Sequence, residues 1–388
     1  MFDLVILGGG IHGTILQLAI LRGGKRSPVV IDQESEPLAV WKRNTAACGM
    51  RYLRSSSSHN IELDFRALRR FAARRGYGEE HFIAPHMRPS LELFNAHADH
   101  LITANRLDDR LTDRIERIEK RGDHFLLTGA RDAYRAKTVL LSPGTPTPGA
   151  PWTQERASSS GRAIHLFDHR FSLEEVRPEE SVAVVGCGVS GGQLAASLLQ
   201  RGLKTVTLID LKEPAQADYD GNPCYVGPKC SVTFEKLASA EERRRIIAQE
   251  RYPGTLPRDI YTEIRALTEA EAIEFILGRV VDARERGNRV EVELIHTGSR
   301  QDRETRLFDR VIATTGFIAG PPAAELLAPL AEAHGLPRGP LGYPYPDTHL
   351  SWTEELFLAG SVAELRIGPP ARNIIGAHLA ARRILPLL

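Results

Sequence analysis

The chain has 388 residues, and its 50 lysines and arginines against 49 aspartates and glutamates give a formal net charge of +1 at pH 7. A hydrophobic fraction of 42% and a charged fraction of 26% are typical of a globular protein of roughly two or three domains; they exclude disorder over most of the chain and give no reason to expect a nucleic-acid partner. No apolar run reaches the about 18 residues of a membrane span, and an apolar strand begins near Phe2, so we expect no signal peptide, no membrane partner and a cytoplasmic protein.

The first predicted element is a short apolar strand, Leu4 to Leu7, which is followed at once by a glycine-rich turn. An apolar stretch of helical period then runs to Gly24, and a glycine there is typical of a helix C-cap. A second apolar strand ends on Asp32. The turn has the spacing Gly-x-Gly-x-x-Gly, at Gly8, Gly10 and Gly13.

A second unit of the same layout lies far along the chain. A strand from Val182 to Val185 precedes a turn, a helical stretch ends near Gly202, and a second strand ends on Asp210. This turn repeats the spacing at Gly186, Gly188 and Gly191. In both units the acid follows the first glycine by 24 positions. Two complete units in one register indicate a duplicated structural device rather than a chance match.

The residue types of the unit suit one chemistry. The first glycine permits a tight turn, the second lets the backbone approach a diphosphate, and the third lets helix and strand pack closely. The diphosphate sits on the free N–H groups at the helix N-terminus, and the acid accepts hydrogen bonds from ribose hydroxyls. The sequence therefore predicts two dinucleotide sites in one chain.

This pair of units resembles the two-dinucleotide-binding-domain flavoproteins, in which the N-terminal fingerprint holds FAD and the internal one holds NAD(P)H. The resemblance implies an α/β fold of two Rossmann-like dinucleotide-binding domains. It places the NAD(P)H domain at residues 151–310, inserted into an FAD domain made of residues 1–150 and 311–388.

Three further segments carry the resemblance. Residues 138–149 resemble the strand and loop where such chains leave the FAD domain, and Arg310 to Phe317 resembles the strand where they return to it. Residues 355–384 resemble their last strand, loop and helix, whose N-terminus faces the flavin.

Within this group the chain resembles the flavin-dependent N- and S-monooxygenases, which include the flavin-containing monooxygenases and the lysine and ornithine N-hydroxylases. Ser190 in the second turn and Trp41 after the second strand match motifs of that group. So do Gly161 and His165 in the linker, and the stretch Arg88 to Phe94.

The resemblance implies cofactor-binding residues but no catalytic side chain and no metal site, because the flavin performs the chemistry. The implied cofactor-binding residues are Gly8, Gly10, Gly13, Asp32, Trp41, Gly144, Gly186, Gly188, Ser190, Gly191, Asp210, Thr315, Gly316, Gly360 and Arg372. The stretches Met50 to Asn60 and Arg366 to Ile374 are expected to wall the flavin. Arg51, Arg54 or Arg372 would hold a flavin carbonyl or a substrate carboxylate, the alternative for each being a weakly paired surface arginine.

The four cysteines include no Cys-x-x-Cys pair, which excludes the disulfide relay of thioredoxin-reductase-like proteins. Cys224 and Cys230 are expected to be free thiols, with a disulfide between them as the alternative. Cys187 is expected to be a small packed residue of the second turn.

Histidine spacing does not favour a metal site, since His97 and His100 share a helix face without a ligand set around them. His165 is expected to be a linker residue with a hydrogen-bonding role. Asp210 favours NADH, because a carboxylate there repels the 2′-phosphate of NADPH, whereas Lys212 would attract that phosphate.

Residues 213–272 show no recognisable chemistry, so substrate choice is expected to reside there. They are followed by a predicted hairpin around Gly287 and Asn288, expected to lead back to the FAD domain.

Three functions remain open. The first is an NAD(P)H-dependent flavin monooxygenase that oxygenates a small nitrogen or sulfur nucleophile through a peroxyflavin. The second is a flavin reductase without a redox disulfide that passes electrons to a quinone, a small disulfide or a protein acceptor. The third is a non-catalytic flavin sensor, suggested by departures from the monooxygenase pattern such as Ser361 in place of aspartate after Gly360.

Overall fold

The computed structural model describes residues 1–24, 26–144, 148–149, 152, 161–298 and 302–388, so the domain boundary expected at residues 150 and 151 lies outside the described residues. The strands are β1 (Phe2–Leu7), β2 (Val29–Asp32), β3 (Phe82–Ile83), β4 (Arg88–Pro89), β5 (Arg110–Thr112), β6 (Ile115–Arg121), β7 (His124–Gly129), β8 (Ala133–Leu141), β9 (Ala163–His165), β10 (Val182–Val185), β11 (Val206–Asp210), β12 (Ala215–Gln216), β13 (Thr255–Leu256), β14 (Ile273–Arg286), β15 (Arg289–His296), β16 (Arg303–Phe308), β17 (Arg310–Ala313), β18 (Ser351–Thr353) and β19 (Leu356–Leu358). The helices are α1 (Ile11–Gly23), α2 (Ala39–Ala47), α3 (Ala67–Arg75), α4 (Leu91–Asn105), α5 (Val189–Gln200), α6 (Pro228–Glu235), α7 (Ala240–Gln249), α8 (Arg258–Glu269), α9 (Ala324–His334), α10 (Glu364–Ile367) and α11 (Ile374–Ile384). In these ranges no helix combines the length and the apolar character needed to cross a bilayer.

The first sheet is built around β1, which pairs in parallel with β2 on one side and with β8 on the other. Its strand order is β18-β19-β8-β1-β2-β5, and β7 and β6 extend it from β8 as antiparallel strands. Leu4 to Leu7 are buried because β1 is covered on both faces, which explains its continuous apolar run. The late strand β19 joins this sheet beside β8, so the C-terminal segment returns to the first domain as expected.

The second sheet has the strand order β16-β15-β14-β11-β10-β17-β9, with β10 in parallel between β11 and β17. We expected the segment from Arg310 to Phe317 to carry the strand of return to the first domain. That expectation is wrong, because β17 pairs with β10 and β9 inside the second sheet. A local apolar pattern does not specify which parallel neighbour a strand will join.

The duplication extends beyond the repeated sequence motif. Each glycine turn lies beside the residue that follows a third parallel strand: Ser142 after β8 in the first domain, and Thr314 after β17 in the second. A Cβ on Gly8 would collide with the carbonyl oxygen of Ser142, and one on Gly186 would lie 2.8 Å from the carbonyl oxygen of Thr314. The β17 strand is therefore the second domain's equivalent of β8.

Two predicted chain reversals are confirmed. Gly24 is the C-cap of α1 in the left-handed region, with φ 70°. Gly287 has φ 61° in the turn between β14 and β15, which pair as the expected hairpin. This hairpin does not lead into the first domain, since β15 pairs onward with β16 in the second sheet.

The two connections between the domains lie side by side. Pro148 and Phe317 form an antiparallel bridge, and the amide of Gly149 donates to the carbonyl of Gly316 at 2.9 Å. The hydroxyl of Thr315 donates to the carbonyl of Gly149 at 2.5 Å. The outward and return crossings are thus tied to each other.

The domains also contact each other away from these crossings. The amide of Leu38 donates to the carbonyl of Gly9 in the first glycine turn, and the segment that follows ends against α5, where Ser197 Oγ donates to the carbonyl of Gly49 at 3.3 Å. The segment between Leu38 and Gly49 therefore connects the first glycine turn to the helix that starts at the second.

Candidate functional site

The first glycine turn, Gly8 to Gly13, has little room for side chains. Gly8 has φ 102°, and a Cβ on Gly13 would collide with the carbonyl oxygen of Gly8. No described atom lies within 4 Å of the position that a Cβ on Gly10 would take. The turn therefore packs tightly against its own sheet and leaves the backbone open at its second glycine, as contact with a diphosphate requires.

Asp32 is held beside this turn by backbone donors. Its Oδ2 accepts from the amide of Gly9, and its Oδ1 accepts from the amide of Glu34 at 2.7 Å. Arg110 on β5 extends over Gly9, where any Cβ would collide with its guanidinium. Burial lowers the pKa of Arg110, and Nε and Nη1 of this side chain are buried with no hydrogen-bond partner in the described ranges. Arg110 was missed by the sequence analysis, because it lies far from the glycine motif in the chain.

The second glycine turn, Gly186 to Gly191, has the same internal packing but different surroundings. Gly186 has φ 106°, and Asp210 Oδ2 accepts from the amide of Cys187. Here a Cβ on the second glycine, Gly188, would lie 3.5 Å from Cα of Gly254. The loop that carries Gly254 therefore borders the backbone that would face a diphosphate.

Thr314 completes this turn, whereas the sequence resemblance implied its neighbours Thr315 and Gly316. Thr314 Oγ1 lies 2.6 Å from the carbonyl of Gly186 and 2.9 Å from that of Val185, within donating distance of both. The hydrogen bonds of Thr315 and Gly316 run instead to the opposite crossing between the domains.

Other predicted cofactor residues occupy turns and helix starts. Gly144 and Gly360 follow strands of the first sheet with φ 82° and 76°. Ser190 is the second residue of α5. Trp41 contacts α4: its Nε1 donates to Asn95 at 3.0 Å and its ring packs on Phe94.

The three arginines proposed to bind the flavin or the substrate all pair with other groups of the protein. Arg51 pairs with Glu263, and Arg372 donates from Nε to Glu364 at 2.7 Å. Arg54 binds the inserted domain through the carbonyls of Ala217, Asp218, Tyr219 and Thr255 and the hydroxyl of Thr255. The structure thus gives Arg54 and Arg51 the role of tying the two domains together.

The two stretches expected to wall the flavin both contact the inserted domain, and the first of them also contacts α11. His378 of α11 donates to the carbonyl of Asn60 at 2.7 Å. Asn373 donates to Asp220 at 3.0 Å, and Asp220 also lies close enough to His59 to affect its charge. Burial lowers the pKa of His59 to about 4, so its imidazole is neutral at pH 7.

A buried ionic cluster lies next to this junction. The carboxylate of Glu364 is only 1% exposed and pairs with Arg244 and Arg372. Arg251 lies 3.8 Å from Glu364 and 3.9 Å from Asp220, both longer than hydrogen bonds. We call Arg251, Asp220, Glu364, Arg372, Asn373 and His59 the polar cluster. No local sequence pattern predicts the polar cluster, because its members come from distant parts of the chain.

The expected linker and helix histidines have ordinary partners. His165 ends β9, and its Nδ1 accepts from the amide of Phe167 at 3.1 Å, which confirms a hydrogen-bonding role. His97 is buried with Nε2 2.9 Å from Glu62. In the described ranges no cluster of ligand-type side chains could hold a metal ion.

The expectation of free thiols at Cys224 and Cys230 is wrong. The two form a disulfide, with their Cα atoms 5.4 Å apart. A short turn followed by α6 brings them together, and sequence spacing alone did not reveal that approach. Cys187 is buried in the second glycine turn, as expected.

The first turn fits FAD. Its second glycine is open, and the buried unpartnered polar atoms of His12, Arg110 and Ser361 require partners that a bound dinucleotide would supply. In chain order, the second Rossmann unit lies between strands that belong to the first sheet. The two units together make the chain a two-dinucleotide-binding-domain flavoprotein.

Comparison with known proteins identifies the family of the chain within this class. The family model of L-lysine 6-monooxygenase/L-ornithine 5-monooxygenase matches residues 98–319, more than half of the chain. The chain belongs to this family. It is therefore a flavin-dependent monooxygenase that binds FAD and uses NAD(P)H to oxygenate a small nucleophile. A search of curated proteins found no match.

Solved structures share the fold over the full chain. An ornithine N-hydroxylase of Kutzneria sp. 744 has a TM-score of 0.82 at 16% identity, covering 100% of this chain and 98% of its own. The ornithine hydroxylase of Pseudomonas aeruginosa has a TM-score of 0.81 at 16% identity, with the same coverage. The L-lysine 6-monooxygenase of Pseudomonas syringae has a TM-score of 0.73 at 16% identity, covering 100% of this chain and 99% of its own.

Proposed function

We propose that this enzyme hydroxylates the primary amine of a small amino acid that binds at the polar cluster. The observation that carries the proposal is the pairing of a half-exposed carboxylate, Asp220, with a guanidinium, Arg251, that has no hydrogen-bond-length acid partner. Both lie where the inserted domain meets the N-terminus of α11. An amino acid presents the complementary pair of charges.

Arg251 is suited to bind the carboxylate of such a substrate. Burial, and next to it the charge of Arg372, lower the pKa of Arg251, so its cation gains from an additional anion. Its distances of 3.8 and 3.9 Å to the two acids leave its N–H groups available for the shorter, two-pronged bonds that guanidinium makes to carboxylates.

Asp220 and His59 are suited to the amine. Asp220 is 40% exposed, so it can accept hydrogen bonds from an arriving ammonium group. A nitrogen must lose a proton before its lone pair can accept oxygen. His59 is neutral because burial lowers its pKa to about 4, and it lies near Asp220, where its ring can accept a hydrogen bond from the amine.

The cofactors are assigned to the two turns. We infer that Gly8, Gly10, Gly13 and Asp32 hold FAD, and that Gly186, Gly188, Gly191 and Asp210 hold NAD(P)H, which supplies the hydride. Because β17 belongs to the second sheet, we also infer that the inserted domain extends to Ala313 rather than to residue 310. The cytoplasmic location expected from the sequence stays a prediction.

The test is a panel of amines assayed for an oxygenated product against NAD(P)H consumed. Solved relatives are named for ornithine, lysine and cadaverine. We expect ornithine or lysine to be oxygenated with a lower KM than cadaverine, which has no carboxylate. Peroxide release without an oxygenated product from any amine would contradict the proposal and favour the reductase alternative.

The role of Arg251 has a matched control. Arg251→Gln is expected to raise the KM for the amino acid about tenfold or more, because the substrate carboxylate loses a charged hydrogen bond. The KM for cadaverine, which has no carboxylate, should be unchanged. Arg245→Gln, at an exposed position of α7, should change neither.

A further inference from the structure

The Cys224–Cys230 disulfide joins a short turn to a helix that contacts the first domain. Cys224 lies in the 3₁₀ turn Pro223–Val226, and Cys230 lies in α6. The ring of Phe234, near the end of α6, is 2% exposed and contacts the first domain, where a Cβ on Gly368 would lie 3.2 Å from its Cε1 atom. The disulfide therefore connects the turn to a buried part of the molecule.

The turn itself packs close to the surface. No residue of Pro223–Val226 is buried, and the ring of Tyr225 packs on Phe234 with their centroids 6.2 Å apart. The preceding residue, Asn222, donates from its amide to the carbonyl of Glu250 at 2.8 Å and from Nδ2 to the carboxylate at 2.9 Å. When the disulfide opens, the turn keeps these partly exposed contacts and loses its covalent link to α6.

The turn lies next to the polar cluster. Asp220 precedes Cys224 by four positions, and Gly221 between them forms an antiparallel bridge with Arg251. The turn also lies near the segment Pro369–Arg372, which contributes a guanidinium to the same cluster. The position of Asp220 relative to Arg251 therefore depends on how firmly the turn is held.

We propose that the disulfide positions the charge pair Asp220 and Arg251, so that reduction of the bond weakens binding of the amino acid. The proposal rests on the proposed function, which assigns this pair to the substrate. Cys224 and Cys230 are partly exposed, so a small dithiol can reach the bond. The S–S bond breaks, the protein gains two thiols, and the dithiol gives up two electrons and two protons as it closes to its own disulfide.

Cys224 and Cys230 are thus positioning residues, which act on the substrate through Asp220 and Arg251. Because α6 remains packed through Phe234, opening of the bond should free the turn without unfolding the inserted domain. The expected effect is confined to the amino acid and leaves the two glycine turns unaffected.

The test compares oxidised enzyme with enzyme reduced by dithiothreitol, from which the excess reductant has been removed. Reduction is expected to raise the KM for ornithine or lysine about tenfold and to leave kcat and the KM for the nicotinamide cofactor within about twofold. The double variant Cys224→Ser/Cys230→Ser should have the raised KM with or without dithiothreitol. Cys48→Ala, which keeps the disulfide, should respond to reduction like the parent.

Hydrogen exchange gives a second readout that does not depend on activity. The amides of Asn222, which donates to Glu250, and Tyr252, which donates to the carbonyl of Asp220, should exchange about tenfold faster in the reduced protein. The amide of Ala217, which donates to the carbonyl of Leu256, is the internal reference and should be unchanged.

Three results would overturn the proposal. The first is a KM for the amino acid that changes less than about twofold although thiol titration shows that the bond has opened. The second is an equal rise in the KM for the nicotinamide cofactor, which would indicate general loosening. The third is a response of the double variant to dithiothreitol, which would trace the effect to another group.

The two readouts separate this proposal from the proposed function. If no amine is oxygenated while exchange at Asn222 and Tyr252 accelerates on reduction, the link between the disulfide and Asp220 is supported and the assignment of the charge pair to the substrate is overturned. If an amino acid is oxygenated and neither its KM nor the exchange responds to reduction, the proposed function stands and the positioning role is overturned.

Discussion

Asn373, the N-cap residue of α11, donates a hydrogen bond to Asp220 over 3.0 Å and so joins the last helix of the first domain to the inserted domain. Asp220 is also the half-exposed carboxylate of the polar cluster. The domain contact and the proposed amine binding therefore share one side chain, and changing it should alter substrate use without altering the FAD turn.

Asp220→Asn is expected to lower kcat/KM for the amine about 10- to 100-fold, because an ammonium group loses its charged acceptor. FAD affinity should be unchanged. Asp218→Asn is the control: Asp218 lies two positions away and accepts from the amide of Arg258 at 3.3 Å, outside the polar cluster. Equal losses in both variants would contradict a specific role for Asp220.

Asp210 should set the choice of nicotinamide cofactor. Its carboxylate accepts from the amide of Cys187 at the second turn, where it would repel a 2′-phosphate. We expect NADH to reduce the flavin at lower concentration than NADPH. Asp210→Asn keeps an acceptor for Cys187 and should improve the use of NADPH about tenfold. The readout is the rate of flavin bleaching at limiting cofactor, and a parent enzyme that prefers NADPH would contradict this prediction.

Buried histidines should make the apoprotein sensitive to acid. Burial lowers the pKa of His12, His59 and His165 to about 4, below the 6.5 of an exposed histidine. Between these values the unfolded chain binds more protons than the folded one, so the free energy of unfolding falls as the pH drops from about 6.5 towards 4. Above that window the contribution is complete and constant.

Urea unfolding at several pH values tests this linkage. The slope of the unfolding free energy against pH reports the difference in bound protons between the unfolded and folded states. His59→Gln should reduce that difference by about one proton within the window. His349→Gln, at an exposed position, should retain the full slope. A stability that does not change between about pH 7 and pH 5 would contradict the burial of these imidazoles.

The Cys224–Cys230 disulfide predicts a simple thiol count. Protein denatured without reductant should titrate two thiols, those of Cys48 and Cys187, and reduced protein should titrate all four. Four thiols in carefully oxidised, unreduced protein would show that the bond does not form.

Much of the architecture follows from local sequence. Glycine spacing, the cap at Gly24 and the turn at Gly287 are properties of a few neighbouring residues, and all three are found as predicted. The two turns could be recognised because the same glycine spacing, which meets the same steric requirements, occurs in the same register in both units. The fold class and the family resemblance could be predicted for that reason.

Pairings between distant segments could not be predicted in this way. The strand Arg310–Ala313 has the apolar pattern of any buried strand, and only its neighbours decide which sheet it joins. Arg110 and Glu364 likewise depend on long-range packing, which buries guanidinium nitrogens of Arg110 and the carboxylate of Glu364. The chemical environment of these side chains could be recognised only from the folded structure.

The most direct test of the account is an anaerobic titration of the FAD-loaded enzyme with NADH or NADPH, followed by flavin absorbance. We predict that the flavin of the parent enzyme is bleached by at least one of the two. Gly191→Val, whose side chain would collide with the carbonyl of Gly186, should stay yellow and bleach far more slowly. A parent flavin that neither cofactor bleaches, or a Gly191→Val enzyme that bleaches at the parent rate, would contradict the claim that the second turn brings a hydride donor to FAD.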